Sequence, residues 1–282
     1  MNLIHIIKSI IPNRLVNLLR AYRTKVNSID NSQKFHIDPS CKVFGWWEPA
    51  HIKMKLNPSD WIQGQILLRG GYEKEYVKKL GELLPEKGVF FDVGSNIGVY
   101  SLNMFRKAEV VYAFEATETT YNLLNETIND NNINNIFLNL LAVHNKDGEV
   151  VNIYSVIDSN IGGNSMYNGS ILVNTVQTIT LDTFVQKNNI KRIDIIKLDI
   201  EGNELNALKG AKESIRKYKP ILFCEINPTL NVYAGYDASE LYDYLCKELK
   251  YIAKESKKNG YKKISKRKAI SRQNNIYFFP SF

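Results

Sequence analysis

The sequence predicts an α/β fold: a mostly parallel sheet with helices on both faces, an antiparallel pair at its C-terminal edge and a small N-terminal appendage. Three observations carry this. From Gly88 onward, short apolar runs alternate with segments of helical spacing, the order expected of βαβ units. The runs are apolar throughout rather than at every second residue, as strands covered on both faces are. Two strand-like stretches near the C-terminus, residues 261–270 and 275–280, are joined by a short turn, which suits an antiparallel pair.

The elements follow in chain order. Residues 1–23 show apolar periodicity interrupted by Lys8, Pro12 and Arg14, and they lack a small-residue cleavage site. They fall short of the roughly 20 apolar residues that spanning a bilayer requires. A helix packed on its own domain is expected, with peripheral contact to a membrane surface as the second reading. Residues 28–60 suggest short strands and turns around Pro49 and Pro58, so residues 1–70 form a helix and a small appendage or lid, and residues 71–282 the main domain. A helix is predicted over 73–84, ending before Pro85. Strand "GVFFDVG" precedes helical "NIGVYSLNMFRKA", strand "EVVYAFE" precedes helical "TTYNLLNETINDN", and "NIFLNLLAV" is the third strand. Residues 149–180 break the rhythm with two strands, "VVNIYSV" and "ILVNTVQTITL", around a polar loop. Alternation resumes with helical "LDTFVQKNN", strand "RIDIIKLDI", helix "NELNALKGAKESIRKY", strand "PILFCEI" and helix "DASELYDYLCKEL".

With 282 residues and 44% hydrophobic composition, the chain can bury a substantial core, which argues against disorder. Its formal net charge of +8 is concentrated at the ends: from Lys247 to Arg272, eleven Lys or Arg face only Glu248 and Glu255. Such a run suits an acidic partner, but a solvated edge hairpin explains it equally, and without a recognition motif no nucleic acid is expected. Cys41, Cys224 and Cys246 form no CxxC pair, so neither a zinc site nor a disulfide framework is indicated. A reducing, cytoplasmic location fits, peripheral to the inner face of the membrane if the first helix binds there; a homo-oligomer stays open.

Chemistry concentrates in two segments. In "FFDVGSNIGVYSL", Gly94 and Gly98 bracket the passage from strand to helix, where a missing Cβ permits a tight turn and close approach by a ligand. The spacing is neither GxGxxG nor a phosphate-binding GK[ST]. Asp92 stands one residue before the end of this strand, and Glu115 ends the next one, where a carboxylate can accept both hydroxyl hydrogens of a ribose. An adenosine-containing cofactor is therefore expected.

The ordered pair "DVGSNIG" and "KLDIEGNELNALKG", with "YAFEATETTYNLL", "NLLAVHNKDGEV", "TITLDTF" and "KPILFCEI" in step, resembles the FkbM family of S-adenosylmethionine-dependent methyltransferases over residues 70–226. Gly71, Tyr72 and Glu73 fall on the family's Gly, aromatic and Glu pattern. The resemblance implies a Rossmann-like class I methyltransferase fold with seven strands. It places Asp92, Gly94, Ser95, Asn96 and Gly98 beside the cofactor's methionine part, Glu115 and Ala116 at the ribose, Ala142 and Val143 over the adenine, and Glu73 nearby. Ser95 replaces the family's more usual alanine. The implied reaction is O-methylation of a sugar, glycan or other small-molecule hydroxyl.

The second segment, "DIIKLDIEGNELNALKGA", runs from apolar to acidic. On an extended strand Lys197, Asp199 and Glu201 share one face, with Glu204 in the first turn of the following helix. Asp199 is the expected base for a hydroxyl acceptor, with Lys197 orienting it. A second arrangement joins Asp199, Glu201, Glu204 and Glu225 around a divalent cation such as Mg²⁺. Helix capping by Glu201, Asn203 or Glu204 is the purely structural alternative. Asn160, Asn164, Ser165 and Tyr167 could bind sugar hydroxyls, with Glu225 also expected at the substrate, His144 could act as a base near the adenine, and Trp46, Trp47 and Trp61 could stack on an acceptor or fill the appendage core. Two further readings compete: a nucleic-acid-binding protein or nucleic-acid methyltransferase using the basic C-terminus, and an NAD-dependent oxidoreductase.

Overall fold

The computed structural model describes residues 41–44, 49–57, 60–155 and 163–281, all within the compact unit Pro39–Phe282. The segment 1–23, Trp46, Trp47 and Asn160 lie outside the described residues.

The elements in order are β1 (Cys41–Phe44), β2 (Pro49–Ile52), α1 (Trp61–Arg69), α2 (Lys74–Leu83), β3 (Gly88–Val93), α3 (Ser101–Met104), β4 (Ala108–Glu115), α4 (Glu118–Asp130), β5 (Ile136–Leu140), β6 (Ala142–Val143), β7 (Val150–Ser155), β8 (Ile171–Ile179), α5 (Leu181–Lys187), β9 (Ile195–Leu198), α6 (Glu204–Lys209), α7 (Lys212–Tyr218), β10 (Ile221–Ile226), α8 (Pro228–Tyr233), α9 (Ala238–Asp243) with a π-helical extension (Tyr244–Glu248), β11 (Tyr251–Lys257), β12 (Gly260–Lys263), α10 (Lys266–Ala269) and β13 (Asn274–Pro280). The central sheet has eight strands in the order β12-β11-β13-β10-β9-β3-β4-β5. The five from β10 to β5 run parallel, while β13, β11 and β12 make the antiparallel side.

Side-chain alternation along the buried strands feeds two cores. Phe91 and Val93 pack with Ile196, Leu198 and Leu222 on one face, whereas Phe90 packs with Ile195, Phe223 and Tyr277 on the other. Ile52, Met54, Leu56 and Ile66 join the Phe90 core. Asp92, Lys197 and Glu225 therefore continue the Phe90 face toward the carboxyl ends of the strands, where that core gives way to polar groups.

Several details differ from the sequence expectation. The third strand divides: after Leu141 N–H donates to the Glu115 carbonyl at 3.1 Å, Ala142 and Val143 leave to pair with β8 in a separate sheet of order β6-β8-β7. The long helix predicted from Asn203 breaks at Gly210, where a Cβ would come within 2.1 Å of the His144 carbonyl oxygen. Of the Lys-rich stretch 261–270, only the first part is strand; Ser265 caps a short helix in the rest. β13 does not pair with that stretch but inserts between β10 and β11, because its apolar center, Ile276 to Phe278, is buried on both faces. α1 escaped prediction, although Asp60 caps it by accepting from Gln63 N–H and Gly70 ends it at φ 64°.

The basic C-terminal run is partly neutralized internally: Lys247 and Lys266 pair with Asp243, and Lys257 and Lys268 with Glu255. Among the described residues no helix is long and apolar enough to cross a membrane.

Candidate active site

The carboxyl ends of β3, β4, β9 and β10 open onto a cleft of about 490 Å³, a volume suited to a cofactor-sized ligand. The loop after β3 builds its floor. Gly94 has φ 79°, and a Cβ there would stand 1.9 Å from the Asp199 carbonyl oxygen, so only glycine lets the ends of β3 and β9 abut. Glu115 braces this loop: one carboxylate oxygen accepts from Asn96 N–H at 2.7 Å and the other from Thr117 N–H at 2.8 Å. Burial pushes its carboxyl above the ordinary value, and those donors pull against the shift. Gly98 serves packing instead of lining, since a Cβ would strike Leu124 at 2.4 Å.

Asp92 and Lys197 are register partners on β3 and β9, and both are buried. Asp92 Oδ2 accepts from the Ser101 N–H at 3.0 Å and hydroxyl at 2.6 Å, while Oδ1 lies 3.4 Å from Lys197 Nζ. Lys197 donates to the Gly94 carbonyl at 2.5 Å. Burial disfavors its charge, but Asp92, Asp199 and Glu73 together raise its pKa above the ordinary value. Asp92 thus lies beneath the cleft rather than lining it, and Lys197 holds the loop through charge-assisted contacts.

The acids are set by a turn, not by strand alternation, because β9 stops at Leu198. Asp199 N–H donates to the Val93 carbonyl at 3.2 Å, and Glu201 follows at φ 52°, with its carbonyl held by the Ser165 hydroxyl at 2.8 Å. Both line the cleft. Glu204 does not: its Oε1 accepts from Ile200 N–H at 2.9 Å and Gly202 N–H at 3.3 Å, and its Oε2 lies 3.3 Å from the Tyr236 hydroxyl. It is the buried brace of the turn, which corrects the expectation of a catalytic or metal-binding role. Burial, reinforced by the charge of Asp199, pushes Glu201 up to about 8, Glu204 to about 7 and Glu225 to about 10. Glu73 shifts upward for the same reasons while accepting from the Tyr100 hydroxyl at 2.6 Å and Asn275 Nδ2 at 3.2 Å.

Asp199, Glu201, Glu204 and Glu225 do not form the expected cation site. Among the described residues no three His, Cys, Asp or Glu side chains are grouped to hold a metal ion, and Glu204 is turned to the backbone.

Other expected residues divide similarly. Ala116, Ala142, Val143, Asn164 and Ser165 line the cleft. Tyr167 does not; its hydroxyl donates to Asn203 Oδ1 at 2.8 Å and lies 3.4 Å from His144 Nε2, in a network behind the cleft wall. Burial lowers the His144 pKa, and neither His144 nor Trp61 lines the cleft. Asn203, read from sequence only as a possible helix cap, donates from Nδ2 to the Val143 carbonyl at 2.7 Å, and the sequence reading missed Tyr100, Gln273 and Asn275, which orient acids. Their partners lie far away in sequence, so no local pattern marks them.

The residues present fit an adenosine cofactor. Ser95 Oγ and Asn164 Oδ1 are buried with no hydrogen-bond partner among the described residues, Glu115 offers paired acceptors, and Phe114, Ala142 and Met166 supply apolar surface.

The methyltransferase FkbM domain family matches residues 92–262. Hexuronic acid methyltransferase AglP of Haloferax volcanii is 28% identical over 174 residues, covering 62% of this chain and 67% of that protein. Among solved structures, the methyltransferase FkbM from Methylobacillus flagellatus KT aligns with TM-score 0.45 and 18% identity, covering 74% of this chain and 46% of that one. Trm5b from Pyrococcus abyssi aligns with TM-score 0.43 and 16% identity, covering 82% and 54%. This chain thus spans less than half of the FkbM structure it matches.

Proposed function

The chain belongs to the methyltransferase FkbM domain family; from that premise we propose that it is an S-adenosylmethionine-dependent methyltransferase acting on a hydroxyl oxygen of a sugar or glycan, with Asp199 as the base. The observation that carries this reading is the contact of Gly94 with the Asp199 backbone, which joins the glycine loop and the acid strand in one cleft. The likeness to a hexuronic acid methyltransferase supports a sugar acceptor.

In this reading Glu115 holds the ribose hydroxyls, Gly94, Ser95 and Asn96 face the methionine part, and Ala142 and Val143 cover the adenine. When bound, S-adenosylmethionine supplies a methyl group made electrophilic by its sulfonium. Asp199 orients the acceptor hydroxyl and takes its proton on a carboxylate oxygen as the oxygen becomes nucleophilic. Glu201 and Glu225, held protonated near neutral pH, add hydrogen-bond donors without adding negative charge. Lys197 keeps the loop and Asp199 in place from below.

Calorimetric titration with S-adenosylmethionine, S-adenosylhomocysteine and NAD, followed by transfer of labeled methyl to hexuronic acid glycans, tests the reading. Adenosylhomocysteine binding and an O-methyl product are expected. Binding of NAD alone would overturn it.

A further inference from the structure

Residues 272–275 lead into β13 and line the same cleft. Arg272 is exposed and makes no ion pair or hydrogen bond among the described residues, yet its charge acts on Tyr76, another lining residue. The other lining cation, Lys197, is already committed to Asp92 and the Gly94 carbonyl. Arg272 is therefore the cation left to meet a ligand.

Its neighbor Gln273 donates from Nε2 to Glu225 Oε1 at 2.6 Å. That bond fixes the Glu225 carboxyl, which is only 5% exposed, and leaves Oε2 buried with no hydrogen-bond partner among the described residues. Buried polar atoms in native proteins are rarely left this way, and a cleft-lining one is most simply satisfied by a ligand.

We propose that Arg272 and Glu225 form a subsite for the carboxylate of an acidic sugar acceptor, Arg272 pairing with it through its guanidinium fork and Glu225 donating to it from Oε2. The inference rests on the sugar-methyltransferase reading and narrows its substrate to a uronic acid. Glu225 can donate because burial and the charge of Asp199 keep its carboxyl protonated near neutral pH. A planar guanidinium pairs with a carboxylate through two parallel N–H bonds, and one acid O–H adds a third donor. Arg272 also supplies the positive charge that an anion needs to enter a cleft lined by Asp199.

The test uses the full chain saturated with S-adenosylhomocysteine and titrated calorimetrically with a methyl hexuronide, the matching neutral methyl hexoside and the hexose 6-phosphate. The hexuronide should bind about tenfold or more tightly than the hexoside, and Arg272→Gln should bring that ratio within about twofold to threefold while adenosylhomocysteine affinity reports an intact fold. Equal affinity for hexuronide and hexoside in the wild-type protein, an undiminished ratio in Arg272→Gln, absent binding of all three sugars, or preference for the phosphate would each overturn the subsite. Methyl transfer assayed in parallel separates the two claims. Selective hexuronide binding without any O-methyl product upholds the subsite and defeats the sugar-methyltransferase reading. Methylation of hexoside and hexuronide alike does the reverse.

Discussion

Lys197 Nζ lies 3.4 Å from Asp92 Oδ1 and 2.5 Å from the Gly94 carbonyl oxygen, so one buried cation ties neighboring strands to the loop that floors the cleft. Breaking such a pair from one side leaves an uncompensated buried charge. Lys197→Met should therefore destabilize the fold by about 3 to 5 kcal/mol in urea unfolding at pH 7. Adding Asp92→Asn should recover part of the loss, because the charge goes while an acceptor for Ser101 remains. A double variant no more stable than Lys197→Met would show that the two residues are not coupled.

Glu115 serves two backbone donors on consecutive loops. Glu115→Ala strands both and removes the expected ribose acceptor; hydrogen bonds to charged groups are worth about 1.5 to 3 kcal/mol each. Adenosylhomocysteine affinity should fall by about tenfold or more with far-ultraviolet circular dichroism unchanged. Wild-type affinity in this variant would remove Glu115 from the cofactor site.

Gly94 and Gly148 share a left-handed backbone, with φ 79° and 73°, but a Cβ at Gly94 meets the Asp199 carbonyl at 1.9 Å whereas one at Gly148 meets nothing within 4 Å. Gly148→Ala should cost about 1 to 2 kcal/mol from backbone strain alone. Gly94→Ala should cost clearly more and weaken adenosylhomocysteine binding, because the ends of β3 and β9 must part. Equal effects on stability would argue that the contact at Gly94 is relieved at little cost.

Burial and neighboring acids push the carboxyls of Glu204, Glu201 and Glu225 up to about 7, 8 and 10 in the folded state, above the ordinary 4.5. Between those values the folded state binds more protons than the unfolded state, so unfolding free energy decreases as pH rises. Their contribution is fully present below about pH 4.5 and is lost progressively as pH rises through the folded values. Thermal unfolding should show a drop in Tm from pH 5 to pH 9, smaller in Glu201→Gln and Glu225→Gln. A drop of unchanged size in both variants would refute this origin.

What could be read from sequence was what repeats locally. The uninterrupted apolar runs of β3, β4 and β10 announced buried parallel strands, and the places of Gly94 and Glu115 at strand ends announced two residues that line the cleft. The acids near residue 200 were legible as a cluster but not as individuals. Glu204 looked like a ligand because spacing shows charge and not direction; its carboxylate turns back to the N–H groups of Ile200 and Gly202. The Asp92–Lys197 pair depends on the register of strands about a hundred residues apart, and Gln273 and Asn275 reach Glu225 and Glu73 only because β13 inserts beside β10. The second sheet was likewise hidden, since "NIFLNLLAV" is evenly apolar across the point where β5 ends and β6 leaves.

The central claim is that Asp199 takes the proton of the acceptor hydroxyl. Single-turnover methyl transfer by Asp199→Asn, saturated with S-adenosylmethionine and a hexuronic acid glycan, tests it most directly. The account predicts affinities for both within about threefold of the wild-type protein and transfer slower by about 10²- to 10⁴-fold; transfer at the wild-type rate would contradict it.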